Sequence, residues 1–473
     1  MKIKNLEEIL FWIPTTKYKR KGVLSVWNLG ERAFSISTTK NFSQLNYPIV
    51  NAITKKTKKE LTFVNLASSI QNETEPMNIA FPEFLFRGCL FTSVSEIIFE
   101  SILIEFDRLD EWTGSFLRKK ENLRPPTRIR SKEFTLRGNI GIQFEERWKK
   151  IGKIRYKKSY FLAHYSSEDY YKKMYVRIFP KGKDFIFIWK NVICPLQELF
   201  SLFFILREPF YIYSLQGLKC NKKIDLLLTK QRWQDTIPNG FLCEYKFFDF
   251  NFLINNFEHI CNNWLTNYHR LKDILSLFLY RYPDYEQKPE DQVTHDIPSL
   301  LFNAQVLETL HRRFFNKDFI SKEIWTPLKG KLIKEIEHAD LTQKQKENLK
   351  NKLGYFQELS LKGRLEDIYV KFQPILKERI SQSDYHKIVT LLVNTRNQYT
   401  HFSGTRLYLQ DNHEKAFFQL LEFMEFLIRL LVLGILIPDQ MEQALSSGQY
   451  ANHSYPRIDK ILEYLKGIEK KKI

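Results

Sequence analysis

A chain of 473 residues with 43% hydrophobic and 15% aromatic content allows about three domains by length and supplies ample apolar side chains for their cores, which excludes disorder as the default state. Its 73 Lys and Arg outnumber 54 Asp and Glu to give a net charge of +19, a surplus suited to polyanionic partners. The five cysteines, at 89, 194, 220, 243 and 261, are odd in number and include no CxxC pair, which argues against a disulfide framework or a zinc knuckle and for a reducing cytoplasm.

The N-terminus carries a short apolar run, Ile9 to Pro14, preceded by Glu7 and Glu8, unlike a signal peptide. Short β-branched and aromatic runs then recur between turn residues: Val23 to Trp27, Phe34 to Thr38, Glu60 to Leu66, Glu83 to Thr92, Ile97 to Phe106, Phe134 to Phe144, Tyr175 to Phe179 and Phe185 to Trp189. Lys181 to Asp184 reads as the hairpin turn between the last two, and one helix, Leu196 to Arg207, interrupts the series before Phe210 to Tyr213. Near residue 250 the period changes. Phe257, Ile260, Cys261, Trp264, Tyr268, Leu271 and Leu275 form an apolar stripe at three- and four-residue steps, the mark of a helix. Tyr280 to Pro298, rich in Pro, Asp, Glu and Gln, reads as a loop.

Further helices are predicted at Leu300 to Phe315, Leu332 to His338, Thr342 to Tyr355, Leu359 to Lys377, Ser383 to Thr400 and Glu414 to Ile437. Thr342 with Gln345 three residues later has the form of a capping box, and Pro374 is placed to kink its helix. The last helix is apolar around most of its circumference, with Lys415, Gln419, Glu422, Glu425 and Arg429 on one stripe; it must be covered in a bundle or at a dimer interface, and its charges argue against a membrane span. The expectation is an α+β chain, with a β-rich domain over 1–250 and an all-α helical bundle over 251–473.

Charge divides unevenly across that boundary. Residues 1–250 hold 42 basic against 26 acidic side chains, a surplus of 16, and residues 251–473 hold 31 against 28, a surplus of 3. Lys149, Lys150, Lys157 and Lys158, interleaved with Trp148, Tyr156 and Tyr160, fit phosphate contacts combined with base stacking, and fit a merely solvated basic surface as well.

The apolar run Ile388 to Val393 leads into Arg396-Asn397-Gln398-Tyr399-Thr400-His401. A fixed cation beside a titratable imidazole suits attack on a phosphodiester. The spacing alone is unspecific: 24 arginines and 10 histidines in this chain give about 0.5 Arg-x4-His matches by chance. Arg396, four residues after Leu392, emerges on the core-facing side of a helix, and Asn397 and His401 share a face. An ideal helix sets Arg396 and His401 about 140° apart, so they converge on one phosphate if the helix ends there or if a second copy contributes. Arg396 as a helix C-cap or as the partner of a buried carboxylate, with His401 as a surface residue, is the plainer reading of the same spacing.

Together with Phe302 to Arg313 and the long apolar helix that follows, the segment Leu391 to His401 resembles the ApeA-like branch of the HEPN superfamily, whose members carry an Arg-polar-x3-His signature. Phe11 to Pro14, Gly22 to Leu24, Leu61 to Phe63 and Leu109 to Trp112 are similar in order to the β-rich domain that accompanies it. The resemblance implies an anti-phage, abortive-infection ribonuclease that needs no metal or cofactor. Arg396, Asn397 and His401 would be catalytic, and Glu308 would orient the arginine. It further implies RNA as substrate (tRNA or another host RNA) and a phage-derived trigger, while the divergence of Arg396 and His401 leads to the expectation of a homodimer joined through HEPN helices, with no membrane association. His311 reads as a partly exposed histidine beside Arg312 and Arg313. The rival function is a non-catalytic module that binds nucleic acid or a phage component and dimerises through its helical half.

Overall fold

The computed structural model describes residues 3–16, 18–27, 34–38, 47–71, 78–106, 109, 130–136, 139–150, 170–203, 212–228, 250–279, 297–315, 320–356, 358–401, 408–409, 413–446 and 456–470. They form two compact units, Met1–Thr266 and Asn267–Ile473. The first unit is a β structure and the second is helical, so the chain is α+β.

Among the described residues twelve strands build the first unit: β1 (Ile3–Trp12), β2 (Arg20–Trp27), β3 (Phe34–Thr38), β4 (Ile49–Thr54), β5 (Glu60–Gln71), β6 (Asn78–Arg87), β7 (Ser101–Phe106), β8 (Arg130–Leu136), β9 (Ile140–Lys150), β10 (Tyr170–Phe179), β11 (Ile212–Lys219) and β12 (Lys222–Leu228). They are hydrogen-bonded in the order β3-β2-β1-β4-β5-β6-β12-β11-β7-β10-β9-β8, and β3 also pairs with β6, Ile36 opposite Ala80. That extra pairing closes the first six strands into an antiparallel barrel. Ile9, Leu24, Ile36, Val50, Phe63 and Leu85, one from each strand, are buried in a single cluster, and the alternation Leu61, Phe63 or Val50, Ala52 is the period of two that sends every second side chain inward. Gly22 is required here, because a Cβ would lie 2.9 Å from both the Phe11 ring and the Ser37 carbonyl.

Beyond β6 the sheet runs open to β8. Its apolar face is covered by α1 (Phe185–Phe203), whose Trp189–Ile193 turn is π-helical. The Phe185 ring lies 5.2 Å from Phe84 and 5.3 Å from Phe86, and Phe200 lies 5.3 Å from Phe106, all edge-on. The segment Phe185 to Trp189 is therefore helix, not the strand its aromatic content suggests. Asp184 accepts a hydrogen bond from the Phe187 amide at 2.8 Å and caps the helix, and burial at Phe185 and Ile188 but not Phe187 follows a step of three. By length and composition α1 could cross a membrane, yet much of it is buried in this unit. The predicted strand Phe134 to Phe144 is a hairpin of two strands, β8 and β9, with Asn139 at φ +61° in the turn. Strands β1, β4 and β12 were not foreseen.

Helix α2 (Phe250–Leu279) contributes to both units. Phe257 packs 4.9 Å from Phe134 and 4.8 Å from Phe144, and the indole of the buried Trp264 donates to the Pro195 carbonyl at 2.7 Å. Burial pushes the Cys194 thiol up to about 12 and raises that of Cys261 further, so neither is a ready thiolate. Cys89, Cys194, Cys220 and Cys261 are free thiols, and Cys243 lies outside the described residues.

The second unit comprises α3 (Ile297–Leu310, continuing as a π turn His311–Phe315), α4 (Lys322–His338), α5 (Gln343–Tyr355), α6 (Leu361–Lys371), α7 (Gln373–Leu376), α8 (Gln382–His401), α9 (Glu414–Leu436), α10 (Met441–Ser446) and α11 (Asp459–Lys470). Helix α3 packs on α9, α8 and α6, while α11 packs on α9 and α8. The Thr342–Gln345 capping box forms, and the helix broken near Pro374 divides at Phe372. Helix α9 is covered on nearly all sides. Its polar stripe is absorbed locally: Arg429 reaches Glu425 at 3.4 Å and stacks over Phe278 at 5.0 Å, and Gln419 donates to Asp459 at the start of α11, a helix not anticipated, at 2.8 Å.

Candidate functional site

The signature residues occupy the last two turns of α8. The helix is held there by side chains that sequence reasoning missed. Thr395, fully buried, donates to the Leu391 carbonyl at 2.7 Å and accepts from the Leu409 amide at 3.0 Å, so the chain after the helix is tied back onto it. The Tyr399 hydroxyl reaches the Leu409 carbonyl at 3.4 Å, and Tyr464 of α11 donates to the Tyr408 carbonyl at 2.6 Å. A buried threonine following an apolar helical run was the available signal, since its hydroxyl needs a partner.

Arg396 is half-buried. Its Nη1 donates to Asn397 Oδ1 at 3.1 Å, and its carbonyl accepts from Thr400 Oγ1 at 2.7 Å. Among the described residues it forms no ion pair with a carboxylate, which leaves its charge available to an anion. His401 is exposed and is the last residue of α8. The helix runs unbroken from Arg396 to His401, so the two side chains leave it about 140° apart. Asn397 thus touches the arginine, whereas the histidine stands on another side of the helix end.

Glu308 is engaged elsewhere. Its carboxylate receives Arg312 at 2.8 Å, and Arg312 also reaches Glu358 at 3.0 Å. His311 is not partly exposed as expected: it is 1% accessible, with Nε2 2.9 Å from Asp367 and Nδ1 3.4 Å from Arg364. The chain enters a π turn at His311, which turns the ring inward while Arg312 and Arg313 stay outside. The side chains of Lys149 and Lys150, at the end of β9, and all of Lys157 and Lys158 lie outside the described residues.

A barrel-and-sheet unit followed by a helical bundle, with an arginine, an amide and a histidine at one helix end, defines a class of two-part proteins whose helical part is an HEPN domain. The family comparison agrees: residues 10–268 match the ApeA N-terminal domain 1 and residues 302–436 match the Apea-like HEPN domain. The chain belongs to the ApeA-like HEPN family and is an antiviral-defence HEPN protein. The first match ends at residue 268, close to the division between the two compact units after Thr266, and both points fall within α2. No curated protein and no solved structure shows significant similarity to the chain.

Proposed function

We propose that the chain is a metal-independent endoribonuclease of anti-phage, abortive-infection defence, cutting RNA through attack of a ribose 2′-hydroxyl on the adjacent phosphorus. The observation that carries this reading is the Arg396-Asn397-x3-His401 constellation at the exposed end of α8, inside the segment that matches the HEPN domain. In the reaction one imidazole takes the 2′-hydroxyl proton as the oxygen bonds to phosphorus. A protonated imidazole gives its proton to the departing 5′-oxygen as the P–O bond breaks, leaving a 2′,3′-cyclic phosphate and a 5′-hydroxyl. Arg396, unpaired with a carboxylate among the described residues and steadied by Asn397, holds the phosphate oxygens as charge builds on them. Because the nucleophile belongs to the substrate, the chemistry needs no metal to generate one.

Two proton-transfer groups and a 140° divergence are reconciled by a two-fold dimer through the HEPN helices, in which each copy supplies Arg396 and His401 to a shared cleft. The N-terminal unit would sense a phage-derived trigger or recruit RNA, restraining the nuclease until infection, in a cytoplasmic protein. The test is cleavage of a labelled RNA with and without EDTA. Cleavage is expected to survive the chelator and to fall about 10²- to 10⁴-fold in His401→Ala with the fold intact. An absolute requirement for Mg²⁺, or undiminished cleavage by His401→Ala, would sink this mechanism, and a wild-type chain that binds RNA without cutting it would favour the non-catalytic binding module instead.

A further inference from the structure

The barrel carries charge of one sign where β1 turns into β2. Residues 9–30 hold four basic side chains, Lys17, Lys19, Arg20 and Lys21, and no acidic one. The strands that flank this hairpin, β3 and β4, contain no charged residue. The two carboxylates of these four strands, Glu7 and Glu8, stand further back on β1 and are held from the β4–β5 turn: Lys55 reaches Glu8 at 2.5 Å, and the Thr57 hydroxyl donates to Glu7 at 2.9 Å. The basic surplus at the hairpin end is therefore left to solvent or to a ligand.

Aromatic rings stand among these cations. Phe11 is buried in the barrel, so alternation turns Trp12 outward, and the Lys19 ammonium lies 5.0 Å from the centre of its ring. Lys21, opposite the outward Leu10, falls on the same face two residues on, about 7 Å further along the chain. That is the interval between successive phosphates of an extended polynucleotide. Tyr18, beside them, is 83% exposed. The apex of the hairpin is polar: Thr15 and Thr16 are exposed, and Thr16 closes the turn by donating its amide and hydroxyl to the Ile13 carbonyl at 2.9 and 3.1 Å. A loop built to enter a bilayer presents apolar side chains at its apex, and this one presents threonines. Cations at phosphate spacing beside an exposed ring suit a charged backbone with unpaired bases.

We propose that the β1–β2 hairpin is a contact surface for single-stranded nucleic acid, with Lys19 and Lys21 on successive phosphates and Tyr18 stacked on a base. RNA is the form that the ribonuclease reading supplies; the inference rests on that reading for its ligand and deepens it by placing a substrate contact on the β unit, outside the Arg396–His401 site. The cations alone would suit an acidic protein as well. Tyr18 favours the polynucleotide, because its open ring is a stacking face that unpaired bases use and carboxylates do not.

The experiment uses the full chain carrying His401→Ala, to prevent cutting, and a fluorescent strand of about 12 nucleotides, alone or annealed to its complement. The strand is offered as RNA and as DNA of the same sequence, and the losses are read on whichever the parent binds more tightly. Tyr18→Ala should weaken single-strand binding on the order of tenfold and leave duplex binding unchanged, because paired bases are already stacked. Lys19→Ala with Lys21→Ala should lower the salt slope for the single strand by about 1.4, from two lost phosphate contacts. Circular dichroism and melting temperature should match the parent, since all three side chains are exposed. Unchanged single-strand affinity in Tyr18→Ala, or an unchanged salt slope in the double variant, overturns the proposal. So does a parental chain that binds neither strand. Loss of binding to phosphatidylserine vesicles in the double variant, with nucleic-acid binding intact, also overturns it and assigns the hairpin to a membrane. Tyr18-dependent binding by a chain that cuts no RNA with His401 restored would sink the ribonuclease reading alone and leave this one standing.

Discussion

His311 shows how far a single residue can sit from its sequence appearance. Flanked by two arginines it reads as surface, yet the ring is wedged between Asp367 and Arg364, with Glu358 and Arg312 extending the chain of charges to Glu308. With a carboxylate beside Nε2 and a guanidinium beside Nδ1, the ring bridges opposite charges across α3 and α6. Glu308 joins that network by its bond to Arg312. Removing the bridge leaves buried charge short of a partner, which costs about 3 kcal/mol. His311→Leu should therefore lower the melting temperature by roughly 6–12 °C for a unit of this size while leaving the chemistry at His401 in place in the folded fraction. A calorimetric scan with a cleavage assay checks it; full stability with lost cleavage would make His311 a participant in the reaction. The signature itself was legible because Arg396, Asn397 and His401 are contiguous in one helix. His311, Asp367 and Thr395 were not, because their partners are distant in sequence or are backbone groups.

At the scale of elements, legibility followed length and period. The long helices α2, α8 and α9 announce themselves by apolar steps of three and four, and the strand Phe34–Thr38 by its bounded alternation. Phe185 to Ile188 did not, because four apolar residues fit either period and the deciding signal was the cap at Asp184. The membership of α2 was hidden too, since a stripe says that a helix is buried but not against what. Its first half belongs to the β unit. Phe257, Ile260, Cys261 and Trp264 are all fully buried, and losing each large side chain of this kind costs about 2–5 kcal/mol, so together they are comparable with the 5–15 kcal/mol that commonly holds a domain. A fragment of residues 1–250, cut where the composition changes, should aggregate or lack fixed tertiary structure, whereas residues 1–279 should be soluble and cooperatively folded. Near-ultraviolet circular dichroism and size exclusion on the two fragments check this; a well-folded 1–250 fragment would show that α2 is dispensable to the sheet.

For the whole molecule, the closed six-strand ring could not be read from the sequence, because closure depends on β3 meeting β6 more than forty residues later. The symmetry of the active molecule is a question of the same order, since it depends on surfaces and not on local pattern. The proposed dimer is motivated by the end of α8: the helix sends Arg396 and His401 about 140° apart, and the proposed 2′-transfer reaction needs a proton acceptor and a proton donor at once. A shared two-fold cleft would supply both, with two arginines for the phosphate. Activity should then follow assembly. On dilution, specific activity should fall together with the mass seen by light scattering, and the two curves should share a midpoint at the dimer dissociation constant. Constant specific activity in protein that is monomeric throughout the dilution would show that one copy completes the reaction, and Arg396 would then bind a phosphate other than the one being cut.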